Sequence, residues 1–74
     1  MNQLDAMRVF AAVADAGSLS AASRRLGMPL ATVSRKLSDL EQHLHASLLV
    51  RTTRRLTLTD VGQQYHEACP RLLA

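Results

Sequence analysis

Tryptophan is absent, and Phe10 and Tyr65 are the only aromatic side chains among 74 residues. The core is therefore expected to be aliphatic, built from Leu, Val, Ala and Met. Cysteine occurs once, at Cys69, which excludes an internal disulfide and fits a reducing compartment. The longest apolar run, Val9 to Ala14, has six residues, far short of the roughly 20 that span a bilayer. No basic stretch leads into a hydrophobic segment at the amino terminus, so no secretory signal is read. Internal repeats, low-complexity stretches and linkers are missing too. What remains is one small domain, expected in the cytoplasm and without a membrane partner.

Apolar residues make up 47% and charged residues 20%, the balance of a packed domain rather than a disordered tail. At this length a core contributes only a few kcal/mol of net stability, so a partner chain is expected. The net charge of +3 is unevenly spread. Residues 1–23 and 56–74 each carry −1, whereas residues 24–55 carry +5. Six of the seven bases in that middle third are arginine, whose planar fork matches phosphate and base-edge geometry. Concentrated in this way, the charge favours a polyanion as partner.

Leu4, Met7, Phe10 and Ala14 recur at helical spacing, with Val9 and Val13 widening the stripe. Asn2 can cap this first helix and Gly17 can end it, which places it at about 3–16. Ser18 can cap a short second helix with Leu19, Ala22 and Leu26 inward, closed by Gly27. After Met28, Pro29 has its φ set for a helix start, and Val33, Leu37, Leu40 and Leu44 repeat as one apolar stripe over about 29–45. Two helices joined by a short turn containing glycine form a helix-turn-helix pattern. Beyond Ala46 the period changes. Leu48-Leu49-Val50-Arg51 and Leu56-Thr57-Leu58 read as two strands of a hairpin around Thr52-Thr53-Arg54-Arg55. Thr59 then caps a last helix whose apolar stripe is Val61, Tyr65, Ala68 and Leu72. Pro70 conflicts with that helix, because an interior proline costs about 3 kcal/mol and kinks or stops it. Either the helix breaks near residue 67 or the sequence is a piece of a longer chain whose packing compensates. The lack of a stop signal before Ala74 favours the second expectation.

On the third helix, a turn of about 100° per residue puts Ala31, Arg35, Ser38, Asp39 and Gln42 opposite the apolar stripe. Small polar residues beside one long guanidinium suit a helix presented to the DNA major groove, where arginine can bond guanine O6 and N7; a merely solvated face has the same composition. Arg51, Arg54 and Arg55 on the hairpin can meet phosphates or a minor groove, or can form an ordinary charged loop. Catalytic and metal chemistry find no footing in the pattern, and no cofactor is expected. His43 and His45 point about 200° apart on a helix, and a single cysteine makes no zinc set. The three glycines are far apart and form no phosphate loop. Asp39 and Glu41 are expected to bond neighbours rather than transfer protons. No enzymatic role is assigned.

Residues 4–62 resemble the amino-terminal DNA-binding domain of LysR-type transcriptional regulators, a winged helix-turn-helix family. The resemblance rests on Leu4 and Phe10, on Gly17-Ser18-Leu19-Ser20-Ala21-Ala22, and on Leu26, Val33-Ser34-Arg35, Leu37, Leu40-Glu41 and Leu44. It continues through Leu48-Leu49-Val50-Arg51, Arg54-Arg55 and Leu56-Thr57-Leu58-Thr59-Asp60-Val61-Gly62. It implies a mainly α fold of three helices, a two-stranded β wing and a carboxy-terminal linker helix. Residues 1–58 would be the DNA-binding domain and 59–74 the start of the linker helix. It further implies a recognition helix and wing contacting double-stranded DNA through Leu30, Ala31, Thr32, Ser34 and Arg35 and through Arg51, Thr53, Arg54 and Arg55. The homodimer would form along Val61, Tyr65, Ala68 and Leu72, and a larger domain outside this sequence would bind a small-molecule effector. One departure stands out. The family often begins its recognition helix with Ser-Gln, where Pro29-Leu30 stands here; leucine cannot bond adenine but can touch a thymine methyl. Two other readings stay open: a winged-helix module that binds protein, and a nucleic-acid binder without sequence preference.

Overall fold

The computed structural model describes residues 2–51 and 56–73, for Arg51 the backbone alone. Helix α1 (Gln3–Ala16) opens on Asn2, whose Oδ1 accepts the Asp5 N–H at 3.1 Å and so satisfies a donor that the first turn leaves without a backbone partner. Ala6, Met7, Val9, Phe10 and Val13 are buried. That face is wide because α1 packs against three other helices, α2, α3 and α4. Phe10 is the largest fully buried side chain, so the core expected to be aliphatic has one aromatic ring at its centre. Leu4, expected on the buried stripe, is 55% exposed: the packed face starts at Ala6, and the first turn lies beyond it.

Ser18 caps α2 (Leu19–Leu26) by accepting the Ala21 N–H at 3.1 Å, and Gly27 ends it at φ 65°, a left-handed conformation that costs glycine little. The fully buried Ala22 faces the core, flanked by the partly buried Leu19 and Leu26. The Ser23 hydroxyl donates to the Met28 carbonyl and ties the turn that follows. Helix α3 (Leu30–Leu44) starts one residue later than the sequence suggests, because Pro29 (φ −58°, ψ 146°) is its extended cap and not its first helical residue. Val33, Leu37 and Leu40 are buried with Leu44 beside them, the stripe expected from the spacing. His45 ends α3 in the left-handed region at φ 53°.

The wing is the antiparallel pair β1 (Leu49–Arg51) and β2 (Leu56–Leu58), in register Leu49–Leu58, Val50–Thr57 and Arg51–Leu56. Leu48 lies just before β1 rather than in it and is fully buried. Thr59 caps α4 (Asp60–Leu73), its Oγ1 accepting the Gly62 N–H at 2.9 Å. Helix α4 runs through Pro70 to Leu73 without breaking near residue 67. Its buried residues are Gly62 and Cys69, with Tyr65 and Leu73 packed beside them. This corrects the apolar stripe read from the sequence: Val61, Tyr65, Ala68 and Leu72 centre roughly 80° around the helix from the buried side. Of those four, Tyr65 turns furthest inward, its ring 5.6 Å from that of Phe10, while Val61 is 48% and Leu72 56% exposed. The closest approach to the core falls to the small residues. The architecture is the winged helix-turn-helix that the element order implies.

Candidate nucleic-acid interface

The site is assembled from the turn upward. Gly27 and the Ser23–Met28 hydrogen bond hold α2 and α3 at one angle, and the buried Val33, Leu37 and Leu40 fix how α3 is rotated. Rotation decides which residues face out. Leu30, Ala31 and Arg35 are exposed, whereas Thr32 and Ser34 are half-buried. No side chain caps the first turn of α3, so its N–H groups add a positive end to this face.

Electrostatics separates the bases of the middle third. Lys36 is spent inside the fold, paired with Asp5 across α1 and α3. Arg24, Arg25 and Arg35 are exposed, with no carboxylate partner among the described residues. Unpaired guanidinium groups keep their full attraction for phosphate. Of the other expected contacts, Thr53, Arg54, Arg55 and the Arg51 side chain lie outside the described residues.

The base of the wing is anchored by residues whose part the sequence shows only faintly. Glu41, at the last turn of α3, accepts the Leu48 N–H at 2.7 Å and the Leu49 N–H at 3.3 Å through one carboxylate oxygen. That agrees with its expected role as a hydrogen-bond partner. Thr59 ties the other strand: its Oγ1 donates to the Ser47 carbonyl at 2.6 Å and its N–H to the Leu48 carbonyl at 3.0 Å. In the sequence Gly62 stands out only as the last residue of the Leu56–Gly62 run that carries the resemblance. A Cβ there would stand 2.1 Å from the Leu48 carbonyl oxygen, so the chain just before β1 can lie against α4 only over a glycine. Among the described residues no group of three or more His, Cys, Asp or Glu could hold a metal ion.

The profile of "Bacterial regulatory helix-turn-helix protein, lysR family" matches residues 4–63. The chain belongs to that family. An HTH-type transcriptional repressor of Pseudomonas aeruginosa is 51% identical over 99% of this chain and 23% of its own length. The HTH-type transcriptional activator AaeR of Escherichia coli is 42% identical over 99% of this chain and 24% of its own. Among solved structures, the CbnR_DBD–DNA complex superposes with a TM-score of 0.91 at 34% identity, covering 95% of this chain and 80% of that one. The chain thus spans about a quarter of the length of the curated family members it matches.

Proposed function

We propose that this chain binds double-stranded DNA with sequence preference and is the DNA-reading part of a regulator of transcription. The observation that carries this reading is the amino-terminal half of α3. It presents Leu30, Ala31 and an Arg35 with no carboxylate partner among the described residues, on a helix whose rotation is locked by a buried aliphatic stripe. On this reading α3 enters the major groove with Thr32 and Ser34 flanking Arg35. Arg51, Thr53, Arg54 and Arg55 meet the neighbouring phosphates or minor groove. Support for those wing contacts is the arginine spacing alone.

The domain boundary near residue 58, a homodimer along α4 and an effector bound by a further domain belong to the same proposal. The exposed Val61 and Leu72 support the dimer, and the share of its relatives' length that the chain spans supports the further domain. DNA as partner goes with a cytoplasmic location, and no helix among the described residues is long and apolar enough to cross a membrane. No enzymatic step, metal or cofactor is assigned.

A titration tests the reading: a duplex selected from a randomised pool against its scrambled counterpart, each at two salt concentrations. Preference for the selected duplex is expected, and Arg35→Ala should lower that preference by about 1–3 kcal/mol. Arg54→Ala and Arg55→Ala should weaken both duplexes alike and flatten the salt dependence. Absence of binding at low salt would turn the reading toward a protein partner, and steep salt dependence without preference toward a general nucleic-acid binder.

A further inference from the structure

Leu30 is 47% exposed at the first turn of α3, the helix that also carries the exposed Arg35. The other large exposed apolar side chains, Leu4, Val50, Val61 and Leu72, lie on α1, β1 and α4. Leu30 alone of these lies on α3, the helix that the reading above places in the major groove. Its neighbours make close approach possible. Pro29 caps the helix without a side chain reaching over the turn, and the exposed Ala31 adds only a methyl group.

We infer that Leu30 is a specificity-determining residue that packs on the C5-methyl group of a thymine, so that the preferred duplex carries thymine under the first turn of α3. This inference rests on the DNA-binding reading above and deepens it. In the major groove guanine shows two acceptors, adenine an acceptor and a donor, and cytosine a donor, whereas thymine alone adds an apolar group. An isobutyl side chain pressed on guanine, adenine or cytosine strips water from their polar atoms and returns no hydrogen bond. Pressed on thymine, it removes two apolar surfaces from water at once. Leu30 and Arg35 are five residues apart, roughly 140° around the helix, so the two side chains address different bases and the thymine requirement is separable from any guanine read by Arg35.

The experiment selects preferred duplexes from a randomised pool with the wild-type chain. Each thymine of the selected site is then replaced singly by deoxyuridine, which deletes only the methyl group. Binding is measured for the wild type, Leu30→Ala and Leu30→Gln, with circular dichroism confirming that each is folded. At one thymine per half-site, deoxyuridine should weaken the wild type roughly fourfold, the ratio that burial of one methyl-sized group gives. Leu30→Ala should bind both duplexes within about 1.5-fold of each other, on the same scale. A fresh selection with Leu30→Gln should replace that thymine by adenine, whose N6 and N7 glutamine can bond. Indifference of the wild type to every methyl deletion overturns the inference and leaves DNA binding standing, as does equal sensitivity in Leu30→Ala. Failure of the folded wild type to enrich any duplex overturns both readings together.

Discussion

At Gly62 the absence of a side chain is what lets two elements touch. Because a Cβ would stand 2.1 Å from the Leu48 oxygen and 3.0 Å from its carbonyl carbon, and both atoms are backbone, no rotamer change relieves the clash. Gly62→Ala must push α4 away from the wing. Overpacking of this kind costs about 1–3 kcal/mol, and we expect the substitution to reach the upper end. Thermal unfolding checks this: each kcal/mol lowers the midpoint of so small a domain by roughly 4–8 °C. An unchanged midpoint would mean that the two elements part without cost. The sequence shows the Leu-Thr-x-x-Gly spacing, but a glycine needed for close approach looks the same in one dimension as a glycine that ends a helix. Leu4 teaches the complementary lesson. Its period matches the buried stripe, yet periodicity reports only direction around the axis and carries no information on how far along α1 the packing extends.

At the scale of elements, one carboxylate couples helix to wing. Glu41 satisfies the N–H groups of Leu48 and Leu49 where the chain leaves α3 for β1, and a buried unpaired donor costs about 1–3 kcal/mol. Glu41→Ala is therefore expected to destabilise by that amount, and to loosen β1 before the helices. Amide hydrogen exchange should show faster exchange at Leu48 and Leu49 with α1 unaffected; uniform loss of protection would deny the wing an anchor of its own. Helix α4 contributes a pH dependence. Burial raises the pKa of the Cys69 thiol above its ordinary 9.0, with Asp15 adding to the effect. Burial likewise raises the Tyr65 phenol above 10.0, opposed by the nearby Gln3 side chain; Tyr65 Oη has no hydrogen-bond partner of good geometry among the described residues. Both groups are neutral in the fold and ionise more readily in the unfolded chain. Their contribution is complete below about pH 9 and is lost as the pH rises from there through the raised values. Midpoints measured from pH 8 to 11 should fall, less steeply for Cys69→Ala than for the wild type. Parallel curves would exclude the thiol as a source of the slope.

For the whole molecule, the open question of assembly falls on α4. Val61 and Leu72 lie 11 residues apart, about 20° in azimuth, so they share one side of the helix, and both are largely exposed. That side is apolar without serving the core. Val61→Glu with Leu72→Glu should abolish concentration-dependent self-association in sedimentation experiments, and with it the rise of the unfolding midpoint with protein concentration, while leaving the midpoint of the dilute, monomeric chain nearly unchanged. A dimer that survives both changes would have its interface elsewhere. His66 and Asp15, 2.9 Å apart, brace α4 against α1 on the same small body, with the His66 ring edge-on to Phe10. The orientation of this helix is thus set by α1, and the wing is set by α3 and α4 together.

The helices, their caps at Asn2, Ser18 and Thr59, and the arginine-rich middle third follow from the sequence by itself, because caps and amphipathic periods are local and each residue carries its own chemistry. Local chemistry also selects the class of partner, since unpaired arginines attract phosphate wherever the fold holds them. Tertiary structure decided the rest. It determined which side of α4 is buried, why that helix tolerates no side chain at Gly62, which base (Lys36) is paired within the fold, and which leucine of α3 (Leu30) is left exposed. Those outcomes depend on distances between residues remote in the chain, and a period along one helix cannot state what stands opposite it.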